Sequence, residues 1–526
     1  MKPIQLLARQ VPRNTLLTAA LVLFWLAATA WARPLMLPDE GRYVGVALEM
    51  LRSGDWLTPT LNGLPYFHKP PLFYWITAGA MSVFGVNEWA ARAAPLLGAT
   101  LGALALTLFV RRWVGERAAR LALVMLLAQP LFFVGGQFAN LDMLIAGVIT
   151  ATTLMLAHAA LCAEQGLPYR STLVLGYAVA ALGLLAKGLI GFVIPALVIG
   201  VWLLARGRWR ALLAMVSLPG ALLFSLIALP WFLAMQLRFP DFLDYFFVVQ
   251  HFKRFAAGGF NNVQPFWFYP ALLLAFHAPW LPWARGLFRV RATAAGATAS
   301  PASVRSLMWV WAAVVLVFFS MPASKLVGYI LPLTPPLAML MADAVLRQRG
   351  ERQTVPLAWV LATTMAASIG LGAVAWLSLH HDKSSRDFAQ PLRAQRQAGE
   401  PVVMLRHYAF DLPFYAGLRD KLVVVDDWHD AAVGQRDNWR KELADAGRFA
   451  PALADTTLVD EPALPALLCA APVSWLLGPS DAALRETYLR EAAQVHSRDG
   501  LTLWRIDQRS SEMFKALGCA GKPNAD

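Results

Sequence analysis

The chain has 526 residues, 58% of them hydrophobic and 15% charged, with a formal net charge of +13. A mean hydropathy of +0.50 exceeds what a soluble globular protein of this size shows, so the apolar surplus must face lipid. The basic residues fall in short segments between apolar runs and form no continuous stripe, which argues against a nucleic-acid partner; three cysteines, Cys162, Cys469 and Cys519, exclude a disulfide framework and show no metal-ligand spacing, although the last two are able to pair if their region is exported.

Lys2, Arg9 and Arg13 precede the first apolar run. Ala28-Thr29-Ala30 resembles a signal-peptidase site. Residues 15–33 nearly suffice to cross a core of about 30 Å at roughly 1.5 Å per residue, which favours an uncleaved first span. Further apolar segments follow at 90–110, 120–137, 141–161, 171–186, 188–205, 211–236, 266–284, 306–321, 327–345 and 356–378. The prediction is a mainly α, polytopic fold of about eleven spans. Arg111-Arg112, Arg206 to Arg210, Arg285 to Arg305 and Arg347 to Arg352 share one side with the N-terminus, which the positive-inside rule makes cytoplasmic. Arg285–Arg305, rich in Ala, Thr, Gly and Ser, reads as a cytoplasmic linker.

The opposite, exported side receives loop 34–89, the turn before Asn140, the neighbourhood of Lys187, loop 237–265, the Ser324-Lys325 turn and residues 379–526. That last region has β-type runs at 402–405 and 422–425 between helical patterns, and is expected to be a soluble α/β domain outside a transmembrane domain of residues 1–378. No internal repeat is found.

Loop 34–89 opens with Asp39-Glu40-Gly41-Arg42-Tyr43, after which Val44, Ala47, Leu48 and Leu51 recur at helical spacing, the pattern of an amphipathic helix on the membrane surface. Asp39 and Arg42 then share a face. An N-cap alone would also explain Asp39. His68-Lys69-Pro70-Pro71 puts a cation at headgroup depth before Phe73, Tyr74 and Trp75, although a snorkelling lysine at a proline turn would look the same. Asp142, Lys187, Lys325 and the basic stretch around Arg254 stand at the exported ends of other spans, where a charge is costly unless paired or wet. Together they suit glycosyl transfer from a polyprenyl phosphate sugar: Asp39, Glu40 or Asp142 activates an acceptor hydroxyl, and cations hold the departing phosphate.

With these residues in view, the chain resembles the bacterial glycosyltransferases related to protein O-mannosyltransferases, including the aminoarabinose transferases that modify lipid A. The likeness covers roughly residues 15–345 and is carried by Asp39-Glu40-x-Arg42-Tyr43, Gly54-Asp55-Trp56, His68-Lys69-Pro70-Pro71-Leu72-x-Tyr74-Trp75, Asn140-Leu141-Asp142, Lys187-Gly188, and Gln264-Pro265-Phe266-Trp267-Phe268-Tyr269 followed by Pro279-Trp280. It implies a GT-C fold, a polyprenyl (undecaprenyl) phosphate-sugar donor, a lipid or protein acceptor, inversion at the anomeric carbon, and a cavity facing the periplasm across a bacterial inner membrane. On the matching positions it makes Asp39 the catalytic carboxylate, supported by Asp142, and sets Arg42, Lys69, Lys325 and Tyr329 against the donor phosphate. In the aminoarabinose subgroup a metal is associated with a Glu and a His where this chain has His68 and Asn262. The exchange weakens the case for that ion and leaves His68 as the one candidate ligand for a divalent cation.

A transporter or flippase is the leading alternative, and a non-catalytic envelope partner the next. Secondary transporters often show paired halves with charges near the bilayer centre, whereas here the halves look unrelated and the charges gather near one surface. A scaffold gives no reason for Asp39, Lys69 and Asp142 to meet.

Overall fold

A computed structural model of the chain describes residues 13–253, 262–288, 300–349, 354–435 and 437–520. Each predicted apolar segment is helical over most of its length. Seven helices among the described residues are long and apolar enough to cross a membrane: Ala93–Trp113, Leu141–Glu164, Arg170–Lys187, Leu218–Arg238, Pro301–Ser320, Val327–Arg349 and Leu357–Leu379. The remaining four expected crossings are short or broken. Pro130 separates Glu116–Ala128 from Pro130–Gly135, because proline lacks the N–H that would continue the helix. Phe268–His277 passes into a 3-10 turn at Ala278–Phe288, and the Gln129 amide meets His277 Nε2 at 2.9 Å between these two interruptions. The middle of the expected Arg285–Arg305 linker, 289–299, lies outside the described residues, and both of its ends are helical.

Helices Ala93–Trp113 and Leu141–Glu164 touch backbone to backbone near their N-terminal ends. A Cβ on Gly147 would stand 1.9 Å from the Gly98 carbonyl oxygen, and one on Gly98 would stand 2.5 Å from Leu144 Cα. Small residues permit this approach. It fixes the start of the second helix, which carries Asp142, against the helix that begins just after Arg92.

The amphipathic helix forms as Asp39–Ser53, ending at Gly54 in the left-handed region. Val44, Ala47 and Leu48 are fully buried, and the region after residue 379 packs as a roof over another face of the helix. A Cβ on Gly41 would meet Phe410 and the Asp411 backbone nitrogen at 3.0 Å, Arg52 donates to the Leu418 carbonyl, and the Leu35 N–H donates to Tyr415 Oη at 2.7 Å. A short hairpin follows, β1 (Thr60–Leu61) and β2 (Leu64–Pro65). Both turn residues, Asn62 and Gly63, have positive φ (54° and 76°), as Asn-Gly favours. Asn62 then bonds both backbone groups of Leu422 at 2.8 and 2.9 Å, stitching the hairpin to the same roof.

Residues 402–507 build a six-stranded sheet in the order β5-β4-β3-β6-β8-β7. The strands are β3 (Val402–Leu405), β4 (Val423–Asp426), β5 (Leu458–Asp460), β6 (Val473–Pro479), β7 (Ala493–Arg498) and β8 (Leu501–Asp507). β3 to β6 pair in parallel, and β8 and β7 close the edge antiparallel. Alternate residues serve two cores, as the pleat requires: Val403, Leu405, Leu476 and Trp504 face Leu464, Leu468 and Met513, while Val402, Met404, Val424 and Trp475 join the core shared with the membrane helices. Cys469 and Cys519 are disulfide-bonded in the first of these layers.

Asp411 anchors the roof by accepting from the Ser384 hydroxyl at 2.8 Å and from the Ser385 hydroxyl and N–H. Burial pushes its carboxyl from 3.8 up to about 6 against those donors. Between these values the unfolded chain binds fewer protons than the folded one, so folding stability falls as pH rises through the window. A shift of this size corresponds to about 3 kcal/mol. Thermal midpoints measured from pH 4 to pH 6.5 should therefore show a downward contribution that is missing in Asp411→Asn; parallel profiles for the two proteins would contradict it.

Candidate active site

Glu40 lies beside Asp39 but is fully buried. It accepts from Arg33 and Arg92, both also buried, and from the backbone N–H groups of Met36 at 2.9 Å and Ala139 at 2.8 Å. Burial would push this carboxyl up, but the two guanidiniums overcome it and hold it down at about 2. The arginines spread their remaining donors over the Ala30, Arg33, Pro34 and Gln137 carbonyls. One carboxylate thus binds the end of the first span, the start of helix Asp39–Ser53, the start of helix Ala93–Trp113 and the turn leading to Asp142.

The Asn140 side chain caps helix Leu141–Glu164 by accepting from the Asp142 N–H at 3.0 Å, and its amide donates to the Asp142 carboxylate at 3.1 Å. That carboxylate pairs with Lys187, which ends helix Arg170–Lys187, and the ammonium also stands 4.8 Å from the centre of the Tyr329 ring. Gly328 makes this possible: a Cβ there would fall 2.1 Å from Asp142 Oδ2.

Arg42 reaches from the second turn of its helix between two carboxylates, Asp39 and Glu442. Glu442 belongs to helix Trp439–Gly447 in the roof and also accepts from the Tyr66 hydroxyl at 3.3 Å. Burial raises the Glu442 carboxyl above its ordinary range with Arg42 working the other way, and Arg42 itself stays protonated well above its usual value.

These groups line one open chamber of about 270 Å³. The structure brings together Asp39, Arg42, His68, Lys69, Asp142, Lys187 and Tyr329, with Tyr43, Tyr66, Asn140, Gln250 and Asn262 between them and Phe318, Phe319 and Pro322 along one lip. Two other expected site residues are not brought there. Glu40 is spent in the buried node just described. Lys325 is buried with its ammonium donating to the Gln264 carbonyl at 3.0 Å, so its charge satisfies a turn. Arg254 lies outside the described residues. His68 stacks on Tyr66 with ring centres 4.5 Å apart. Among the described residues one group of three ligand-type side chains is close enough to share an ion, Asp427, His429 and Asp460, and it does not include His68.

Glu442 and Asp437 also line the chamber and were not anticipated from sequence. Glu442 lies 400 positions from its partner Arg42, so no spacing rule connects them. The available signal was a carboxylate on the apolar face of a short helix capped by Asn438, where charge needs a partner.

Comparison with known proteins agrees with this architecture. Residues 15–246 match the family described as dolichyl-phosphate-mannose-protein mannosyltransferase. The fold is similar to the crystal structure of ArnT from Cupriavidus metallidurans bound to undecaprenyl phosphate, with a TM-score of 0.76 and 25% identity over 94% of this chain and 97% of that one. The chain is a polytopic membrane protein with a GT-C fold. Among curated relatives, the undecaprenyl phosphate-alpha-4-amino-4-deoxy-L-arabinose arabinosyl transferase of Edwardsiella ictaluri is 35% identical over 61% of this chain and 57% of its own length. The enzyme of that name from Pseudomonas aeruginosa is 33% identical over 69% and 65%. The chain thus spans less than two thirds of the length of either relative.

Two substitutions test the site's construction. Glu40→Gln leaves Arg33 and Arg92 buried without their counter-charge, a loss of about 3–5 kcal/mol; folded protein recovered in mild detergent should fall sharply, and a parental yield and thermal midpoint would contradict the node. Gly328→Ala forces the Asp142 carboxylate aside and should slow whatever reaction the chamber catalyses on the order of tenfold, equivalent to about 1.4 kcal/mol, with the thermal midpoint little changed. An unaltered rate would mean that Asp142 tolerates the displacement.

Proposed function

We propose that the protein is a glycosyltransferase that moves a sugar from a polyprenyl phosphate carrier to an acceptor on the non-cytoplasmic face of a bacterial inner membrane, with inversion. The observation that carries this reading is the convergence of Asp39, Asp142, Arg42, Lys69 and Lys187 on one open chamber. An acceptor hydroxyl attacks the anomeric carbon from the side opposite the phosphate and gives its proton to a carboxylate, for which Asp39 is the candidate. The bond from the anomeric carbon to the phosphate oxygen breaks, and the charge that gathers on phosphate is met by Lys69 and Lys187, with Tyr329 packed beside the latter. No general acid is needed, since phosphate is a good leaving group. Arg42, held between Asp39 and Glu442, fixes the two carboxylates relative to each other.

Undecaprenyl phosphate is the carrier to test first, and 4-amino-4-deoxy-L-arabinose the first sugar, because these are named in the relatives. Among the described residues the chamber offers four carboxylates, Asp39, Asp142, Asp437 and Glu442, against the three cations Arg42, Lys69 and Lys187. That balance favours a sugar bearing an ammonium group. Lipid A, another envelope glycolipid or a protein is the acceptor. In this reading the N-terminus is cytoplasmic and the residues after 379 are periplasmic; the Cys469–Cys519 disulfide supports that side, since such bonds persist in oxidising compartments.

Asp39→Asn keeps the shape of the side chain and removes its basicity. Transfer from the undecaprenyl-linked sugar should fall by about 100- to 10,000-fold, with membrane insertion and thermal midpoint retained. Turnover like that of the parent would remove Asp39 from this role.

A further inference from the structure

A second crevice, of about 280 Å³, opens where the last membrane helix, Leu357–Leu379, gives way to the roof. Its floor is the strap Pro34-Leu35-Met36, which joins the buried Arg33 to the helix of Asp39, and its walls are formed by Trp376, Leu377 and residues 380–384. Its chemistry is divided in two. On the membrane side Trp376 and Leu379 are exposed at 61% and 75%, large apolar surfaces that water would not leave uncovered at the end of a span. One residue beyond, His380 stacks on Trp376 with ring centres 3.7 Å apart, and Lys383 is exposed. The acid adjacent in sequence, Asp382, is engaged by Arg498 at 3.0 Å, and His381 lies 3.4 Å from Asp387. Lys383 itself forms no ion pair among the described residues, although its carbonyl accepts from the Leu37 N–H at 2.7 Å and so fixes its place on the strap.

We propose that this crevice is a binding site for an anionic phospholipid of the surrounding bilayer, with the headgroup phosphate at Lys383 and His380 and the acyl chain along Trp376 and Leu377. The position follows from the helix end, which sets the crevice at headgroup depth, and the occupant follows from the pairing of an apolar wall with a cation that the protein leaves unneutralised. Because the strap leads directly into the helix of Asp39, the bound lipid packs against the element that carries a chamber residue. The site is separate from that chamber, and the proposal requires only the membrane placement of the chain, not its reading as a transferase.

The test uses the full chain in phosphatidylcholine nanodiscs containing trace photoactivatable phosphatidylglycerol or photoactivatable phosphatidylcholine, with crosslinks mapped by peptide mass spectrometry. The phosphatidylglycerol probe should label residues 376–384 about fivefold more than the phosphatidylcholine probe, the preference that one near-surface lysine supplies. Lys383→Glu should abolish that excess and Trp376→Ala should reduce labelling by both probes, each with a parental thermal midpoint; Lys383→Gln serves if the charge reversal disturbs folding. Inorganic phosphate at matched ionic strength should leave the labelling unchanged. Equal labelling by the two probes, an excess that survives in the Lys383 variants, or competition by inorganic phosphate would each overturn the proposal, the last by assigning the site to the free anion.

Discussion

A carboxylate removed from water is tolerated only when its charge and lone pairs are fully met, and the rest of this site depends on how Glu40 is met. Two buried guanidiniums and two backbone N–H groups surround it. Through them the first span, the helix of Asp39, the helix that starts after Arg92 and the turn before Asp142 share one point. Asp39 follows from that point by one residue, and Asp142 by three residues after Ala139. The spacing between Asp39 and Asp142 is therefore set by a carboxylate that does not line the chamber. Such a node is rigid because any movement of one partner strands a charge.

The roof completes what the node begins. The membrane helices alone supply Asp142, Lys187 and Tyr329, and loop 34–89 supplies Asp39, Arg42 and Lys69, yet the Arg42 guanidinium takes its second carboxylate, Glu442, from the region after residue 379. The Asn62–Leu422 pairing and the Tyr415–Leu35 contact hold that region down at either end of the Asp39 helix. The residues after 379 are thus a wall of the chamber, and they cover one face of the Asp39 helix as well.

What sequence revealed and what it hid divide along the range of the interactions. The membrane class, the apolar segments, the helix at Asp39 and the strands near 402 and 423 rest on local periodicity and were legible. So were Asp39, Lys69, Asp142 and Lys187, because charge near a span end is costly enough to stand out. Glu40 and Lys325 carried the same local signal and went elsewhere, since cost alone does not say whether a charge is met by protein or by ligand. Glu442 was illegible because its partner lies in another part of the chain, and the roofing of Asp39–Ser53 because an amphipathic face does not declare what covers it. Small residues had a quieter role: Gly98, Gly147 and Gly328 are ordinary in sequence, and only their neighbours reveal that a methyl group at each would displace backbone or a chamber carboxylate.

The central claim is that Asp39, Lys69 and Asp142, contributed by separate stretches of chain, are presented together to the non-cytoplasmic side. Its most direct test is single cysteine replacement at each position in a chain with Cys162→Ser, followed by labelling of intact cells with a membrane-impermeant thiol reagent and then by labelling after permeabilisation. All three positions should react from outside, with no gain on permeabilisation. Reaction of any one of them only after the inner membrane is opened would place it on the other leaflet, and the single chamber would be lost.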